Sequence, residues 1–490
     1  MTKSVIRFNM ATFEKKELKK KSENLSDWYT DVVLKAELAD YAPVKGTMVI
    51  RPYGYAIWEH VQEIMNGFMK AAGVQNAYFP LFIPYSLLEK EKEHVKGFSP
   101  ELAIVTIGGG EKLKDPLVVR PTSETIMYEM YKKWIHSWRD LPLLINQWNN
   151  VIRWEKRTYL FLRTMEFLWH EGHTAHETEK EAIHLIFKTL EWYKAVYEEY
   201  YAIPVVIGTK SSSEKFAGAK DTYTVELLMP DGKALQGATS HNLGQNFSKP
   251  FEIKFQNRQG QQEFVWQTSW AITTRSIGAL VLVHGDDNGL ILPPKIAPVQ
   301  VVVVPIMKTG GDASLVSTYC QDLKEALQNG GVRIHLDDRS EPSVGRRFNE
   351  WEVKGVPLRF EVGEKEVKER SVTIARRDTG KKEVVDRTHV LGETQKLLEE
   401  IQTHLFAKAK KFLEANTHEV SSYDEFKKIM SSTRGFLRAF WCEDAACEAM
   451  IKEETKAMTR CLPLDTKKEK GVCIHCGKSA THRWIFAQAY

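Results

Sequence analysis

No stretch of the chain approaches the roughly 18 consecutive apolar residues that a membrane-spanning helix needs, so no such helix is expected. The N-terminal stretch MTKSVIRFNMATFEKKELKKKSENLSDWY lacks the apolar core of a signal peptide and carries acidic residues. The expected compartment is therefore cytoplasmic. Cysteine is scarce: six in 490 residues cannot make a disulfide scaffold. No G-x-x-x-x-G-K-[ST] phosphate loop occurs, and no His-Glu-x-x-His, because HEGH at 170–173 has the wrong spacing. An excess of one charge is missing too. With 68 basic and 64 acidic residues the net charge is +4, so a nucleic-acid partner would need a local basic surface.

What is present begins with the length, which exceeds what one hydrophobic core usually carries and predicts about two to four domains. Four of the six cysteines group near the C-terminus as Cys442-x4-Cys447 and Cys473-x2-Cys476. In a reducing compartment that spacing reads as a tetrahedral zinc site, with all four coordination positions filled and hence structural. Cys320 and Cys461 have no such partners and read as ordinary small residues.

Periodicity divides the rest. Helices are expected over 55–72 and 177–200, where apolar residues recur at three- and four-residue steps. Strands are expected at LVVRP, LLINQWNNVIRWE, VELLMP, FEIKF and FVWQTSWAITT, which indicates a large antiparallel sheet in an α+β domain. After the proline-rich LPPKIAP at 292–298 the pattern alternates between strand and helix, predicting a small separate α/β domain. The last segment opens with a helix near 394–415 and ends in the cysteines.

The richest segment is 149–173, NNVIRWEKRTYLFLRTMEFLWHEGH. Arg153 and Glu155 stand two apart, so on a strand they share a face. A second polar strand carries Arg163, Glu166, Trp169 and His173. A guanidinium beside a carboxylate suits a nucleotide: the arginine takes phosphate, the glutamate an amine or a metal. A solvated hairpin with cross-strand ion pairs fits the pattern equally well until other segments are considered. RPTSET (120–125) adds a hydroxyl pair and Glu124, and LQGATSHNLGQNF adds Gln236, Thr239 and His241 among glycines. WAITTRSIGAL places Arg275 where a strand yields to a helix start, an awkward position for a cation unless it serves an anion. Arg153 and Arg275 can therefore bracket a triphosphate. His170, His173 and His176, three apart, invite a metal reading, but a substrate-pocket imidazole fits better.

These residues carry a resemblance. The chain, from about Leu25 to Tyr490, resembles the prolyl-tRNA synthetases of the class II aminoacyl-tRNA synthetases, in their archaeal and eukaryotic type. GFMKAAGVQNAYFPLF resembles the first class motif, with Pro80 at the position that lies in the family's dimer interface. RPTSET, NVIRWE with FLRTMEFLWHEGH, and TSHNLGQNF resemble its active-site blocks, and TTR its third motif, ending on Arg275. GVRIHLDDR and GVPLRFEVG resemble strands of its anticodon-binding domain, and the terminal cysteines and Tyr490 its zinc domain. About 100 residues separate His173 from Arg275, too few for the editing insertion of the bacterial type.

The resemblance implies an α+β multidomain protein: a class II antiparallel sheet with helices, an α/β anticodon-binding domain and a C-terminal zinc-binding α/β domain. The implied boundaries are an arm at 1–24, a catalytic domain at 25–291, a linker at 292–298, an anticodon domain at 299–395 and a zinc domain at 396–490. It implies a homodimer that activates L-proline with ATP and Mg2+, then transfers it to the 3′ end of tRNA(Pro). Arg153 and Arg275 are the implied catalytic residues. Thr122, Glu124, Arg153, Glu166, Trp169, His173 and His241 would bind proline, with Glu124 and Thr122 accepting its NH2+ and Trp169 walling its ring. Arg153, Glu155, Phe167, Gln236, Thr239, Thr273 and Arg275 would bind ATP. Zn2+ would sit on Cys442, Cys447, Cys473 and Cys476. Arg333, Arg339, Arg346 and Arg347 are the charges expected to meet anticodon bases. Two competitors remain: another class II ligase such as a threonyl or seryl enzyme, and a tRNA-binding regulator that has lost catalysis.

Overall fold

The computed structural model describes residues 18–88, 102–307 and 313–490. Most of the expected N-terminal arm, residues 1–17, lies outside them. Two compact units emerge from the contacts: Met1–Leu38 with His284–Ile401, and Ala39–Val283 with Gln402–Tyr490. Among the described residues no helix is long and apolar enough to cross a membrane.

The larger unit is built on an eleven-stranded sheet. Its central strands Asp221–Leu228, Ala234–Gly244, Trp266–Thr273, Glu166–His176 and Leu143–Ile152 pair antiparallel throughout. The antiparallel sheet expected from the sequence is thus present. FEIKF contributes only Lys254 and Phe255, to the strand Lys254–Gln256 of a separate two-stranded ribbon. Four strands from beyond residue 415 extend the same sheet, and Ala457–Pro463 joins Val206–Thr209 through Leu462 opposite Thr209. Gly208 makes that join possible, since a Cβ there would lie 2.5 Å from the Leu462 carbonyl oxygen.

One face of the sheet is covered by the helix Glu179–Ala195, opened by a capping box in which Thr178 and Glu181 satisfy each other's backbone. Its buried side includes Leu185, Ile186, Thr189, Leu190, Trp192 and Tyr193, a helical stripe. Trp192 meets Trp270 edge to face, and Gly172 leaves room for that indole, which a Cβ would approach to 2.2 Å. The helix Pro52–Ala71 buries Ile57, Val61, Met65 and Met69 at four-residue steps.

In the other unit a five-stranded sheet runs Ile334–Leu336, Val301–Pro305, Leu358–Val362, Ser371–Arg376, Lys382–Asp386. The first three are parallel and the last two antiparallel additions. Val301–Pro305 is fully buried, as expected of a parallel strand with both faces covered. LPPKIAP packs against this unit: Leu292, Ile296 and Ala297 are buried, and Arg333 donates to the carbonyls of Pro294 and Ala297 at 2.6 and 2.8 Å. The expected five-part division is a division along the chain, whereas the contacts gather the same residues into two units.

Candidate active site

Strand alternation and register assemble the site. On Glu166–His176 the odd-numbered positions Phe167, Trp169, Glu171 and His173 point to the face opposite the helix Glu179–Ala195. Register carries this face across the sheet in rows. Thr222, His241, Ser269 and His173 make one row, and Thr224, Thr239, Ala271 and Glu171 the next. Thr273 stands opposite Trp169 in a third. These rows floor a cavity of about 240 Å³.

The expected residues Thr122, Glu124, Arg153, Phe167, Trp169, His173, Gln236, Thr239, His241, Thr273 and Arg275 all line it, though they come from five separate segments. Two are placed elsewhere. Glu155 borders two adjoining chambers and is held by the Arg163 guanidinium at 2.8 Å. Glu166 does not line the cavity. It is an even-numbered position, turned by the strand's two-residue period to the other face, where its carboxylate accepts from Asn150 Nδ2 at 2.7 Å.

Sequence reasoning missed Glu171. The same two-residue period that links Trp169 to His173 puts Glu171 between them, and that signal was available in the sequence. Its carboxylate is buried and accepts from the Ser123 backbone N–H at 3.1 Å, the Ser123 hydroxyl, Gln147 Nε2 at 3.2 Å and Asn149 Nδ2 at 2.7 Å. His173 Nε2 lies 3.1 Å from it, and His173 Nδ1 is 3.2 Å from the Tyr128 hydroxyl. Burial opposes the Glu171 charge, yet these donors and His173 bring its pKa down to about 2. Burial alone would lower the His173 pKa; the Glu124 carboxylate, with the Glu171 hydrogen bond, raises it instead. Glu214, Phe216 and Thr222 also line the cavity, and no short motif announces them. Phe216 packs on the His241 ring at 4.7 Å, and Thr222 bonds His241 Nδ1 at 3.0 Å.

At the other end the Arg153 guanidinium lies 5.4 Å from both the Phe167 and Trp169 rings, and its Nε donates to the Pro121 carbonyl at 3.2 Å. Arg275 opens the helix Arg275–His284, with Nε on the Leu162 carbonyl at 3.0 Å. Burial, then the like charge of Arg153, lowers its pKa. Two cations held together at a helix N-terminus favour an anion there. Among the described residues, Ser269 Oγ, Asn149 Oδ1 and the Trp169 indole nitrogen on this face are buried without a hydrogen-bond partner. The three spaced histidines do not converge. His170 lies on the helix side, between Asn146 at 2.8 Å and Tyr193 at 3.1 Å, and His176 bonds Thr174 at 2.8 Å.

The four terminal cysteines do converge. All four sulfurs lie within 4.8 Å of one another, with Cys447–Cys473 at 3.5 Å and Cys442–Cys476 at 3.6 Å. A tetrahedron of Zn–S bonds near 2.3 Å has edges of about 3.8 Å, so both spacing and thiolate chemistry fit zinc.

In the smaller unit, Arg347 is buried on the carbonyls of Asp337 and Pro305, and Arg339 is paired with Asp337 and Glu350. Arg346 is paired with Glu350 at 3.2 Å. A separate cleft of about 400 Å³ is lined by Phe348, Glu352, Arg359 and Lys382, with the Arg359 guanidinium 4.1 Å from the Phe348 ring.

Known proteins share this arrangement. Residues 106–284 match the family described as tRNA synthetase class II core domain (G, H, P, S and T), residues 300–397 the Anticodon binding domain, and residues 423–490 the Prolyl-tRNA synthetase, C-terminal family. A proline–tRNA ligase of Natranaerobius thermophilus is 50% identical over 97% of this chain and 98% of its own length. The chloroplastic/mitochondrial proline–tRNA ligase of Arabidopsis thaliana is 51% identical over 96% of this chain and 88% of its own. The crystal structure of the Cryptosporidium parvum prolyl-tRNA synthetase, complexed with halofuginone and AMPPNP, superposes with a TM-score of 0.92 at 43% identity. That match covers 96% of this chain and 99% of the other.

Proposed function

The chain belongs to the class II prolyl-tRNA synthetases and is a proline–tRNA ligase, and on that premise we propose how its cavity divides the work. The observation that carries the division is the sheet face itself: carboxylates and histidines gather at one end, and two arginines at the other. Glu124, with Thr122 hydrogen-bonded to it, accepts the NH2+ of proline. Trp169 walls the pyrrolidine ring, while His173 and His241 close the pocket beside it. Arg153 holds the proline carboxylate and the α-phosphate of ATP together. Arg275 faces the outer phosphates or stacks near adenine, alongside Phe167, Gln236, Thr239 and Thr273.

The carboxylate oxygen attacks the α-phosphorus in line, the bond to the β-phosphate oxygen breaks, and pyrophosphate leaves as prolyl-adenylate forms. The tRNA 3′-terminal hydroxyl then takes the prolyl group and releases AMP. Neither step needs a side-chain nucleophile; positioning and charge neutralisation supply the catalysis. Magnesium bound with ATP supplies Lewis acidity, and Glu155 and Gln236 are its proposed neighbours. The supporting feature is that the Glu155 carboxylate borders both chambers next to Arg275. Glu166 acts indirectly, fixing Asn150 on the far face of the sheet.

Zinc on Cys442, Cys447, Cys473 and Cys476 would be structural, since four thiolates leave no open position. The archaeal and eukaryotic subtype rests on the short interval from His173 to Arg275, with no room for an editing insertion, and bacterial proline–tRNA ligases match this chain over 98% of their own length. Exposed Tyr78 and Phe82 flank exposed Pro80, an apolar surface suited to a homodimer. The Phe348–Arg359 cleft, where Glu361 holds Arg359 at 2.8 Å against the Phe348 ring, offers an open aromatic and cationic surface suited to stacking of anticodon bases of tRNA(Pro). A cytoplasmic location completes the proposal.

The test is ATP–pyrophosphate exchange with a panel of amino acids. Proline is expected to give the highest kcat/KM. Stronger exchange with threonine or serine would overturn the assignment of the pocket, and no exchange with any amino acid would favour a regulator without catalysis.

A further inference from the structure

The loop over residues 210–218 walls the cavity through Glu214 and Phe216, yet part of its anchorage comes from the C-terminal segment. At its start Lys210 Nζ donates to Glu226 at 2.7 Å, and Arg460 donates to the same buried carboxylate at 2.9 and 2.7 Å. One residue on, the Ser211 hydroxyl donates to Glu448 Oε1 at 3.1 Å. Ser213 and Thr459 donate their hydroxyls to the same Glu448 carboxylate. Glu448 is buried, in the first turn of the helix Ala445–Thr455 and directly after the cysteine Cys447.

The loop passes this anchorage on to the cavity. Glu214 and Lys215 donate their backbone N–H groups to the Ser211 carbonyl at 3.2 and 3.0 Å, closing a turn. Phe216 donates its N–H to Thr222 Oγ1 at 2.9 Å and lays its ring on His241. Removing the donors of a buried carboxylate leaves its oxygens out of water and without partners, which is costly. Two of the three hydroxyls on Glu448 come from the loop itself. The contact therefore fixes the position of the loop, which simple apolar packing would leave adjustable.

We propose that Glu448 is a positioning residue for the amino-acid substrate, latching the 211–216 loop so that Glu214 and Phe216 face the end of the cavity formed by Thr222 and His241. The proposal rests on the reading of that end as the proline pocket. Two variants approach the latch from opposite sides: Glu448→Ala, and the double variant Ser211→Ala with Ser213→Ala, which leaves the cysteine-bearing helix untouched. In both, hydrogen exchange of the 211–216 amides is expected to accelerate at least about tenfold, with bound zinc per chain unchanged in the double variant. In pyrophosphate exchange the KM for proline is expected to rise about tenfold, the equivalent of about 1.4 kcal/mol, with KM for ATP within about twofold of the parent. Glu448→Gln, whose amide oxygen still accepts hydroxyls, should fall between. Unchanged loop exchange in both variants would overturn the latch, as would equal rises in KM for proline and ATP. A parent enzyme that responds to a different amino acid would instead overturn the substrate reading, while loop exchange still decides the latch.

Discussion

Replacing Glu171 with glutamine removes one charge and almost no volume, so its effect isolates what the buried carboxylate does. One oxygen of Glu171 accepts from the Ser123 hydroxyl, Gln147 and Asn149, and the other from the Ser123 N–H and His173. Turned one way, a glutamine NH2 meets the Ser123 backbone N–H, a donor that cannot become an acceptor; turned the other way, it forces Gln147 or Asn149 to reverse its amide and give up its present bond. A buried donor left without a partner costs about 1–3 kcal/mol. The charge supplies an independent estimate. A carboxylate with native pKa near 2 instead of the ordinary 4.5 contributes about 3 kcal/mol at neutral pH. Its sign is that of a depressed acid: full above the unfolded pKa, and lost as pH falls through the folded one. Glu171→Gln should therefore lower unfolding stability at pH 7 by about 3 kcal/mol, read as a shift in urea midpoint at unchanged slope. His173, deprived of that partner, should titrate lower, which NMR of its ring would detect. Ser123 directly precedes Glu124, so kcat/KM for proline should drop about tenfold as well. A midpoint within about 0.5 kcal/mol of the parent would refute the view of Glu171 as the hub of the cavity.

Alanine should be activated measurably, because losing ring contacts in an apolar pocket discriminates by only about 1–3 kcal/mol; exchange as low with alanine as with glutamate would contradict this. Cys442→Ser should release zinc by metal analysis, make residues 423–490 sensitive to protease, and weaken ATP binding as Arg460 leaves Glu226; full zinc content would remove Cys442 from the metal assignment. Burial holds His170 at a pKa of about 3 and His176 at about 4, so both are neutral in the folded chain. Their stabilisation is complete above the ordinary value near 6.5 and lost as pH falls toward those values, about 2 kcal/mol each by pH 5. His170→Gln should therefore weaken the fold at pH 7 yet flatten its decline between pH 7 and 5; an unchanged slope would exclude His170 as its source.

The sequence made the floor of the site legible wherever chemistry and period coincided. Arg153, Trp169 and His173 could be read from one segment because a strand's two-residue step is visible in the letters. The same step should have promoted Glu171 and excluded Glu166, but motif likeness outweighed parity. Gln236, Thr239 and Arg275 were legible by type, and only register could show that Thr239 stands in the row of Glu171 while His241 stands in that of His173. Glu214 and Phe216 were not legible, because what brings them to the cavity is a contact 237 residues away along the chain, between Ser211 and Glu448. The cysteine spacing forecast a convergent cluster. It carried no sign that the strands around it would extend the catalytic sheet past Gly208.

That extension changes what the C-terminal segment is for. Of the four buried carboxylates among the described residues of the larger unit, Glu124 lies in the cavity and the other three are each satisfied differently: Glu171 by neutral donors and a histidine, Glu226 by Lys210 and Arg460, and Glu448 by three hydroxyls. Of these three, Glu171 draws its partners from residues 123–173 alone. Glu226 and Glu448 each join a residue before 230 to one after 440: without the C-terminal strand Glu226 keeps Lys210 and Thr224 but loses Arg460 from its second oxygen, and Glu448 loses Ser211 and Ser213. Burying an unpaired charge is far more costly than failing to form an exposed pair. The central sheet and its C-terminal extension therefore stabilise each other through charge as well as strand pairing. Glu226 stands opposite Gln236 in the register, at a bulge between Val225 and Glu226. The docking of Arg460 is thus felt one strand away from the residue proposed to meet ATP, and a C-terminal addition becomes part of how the nucleotide end of the cavity is held.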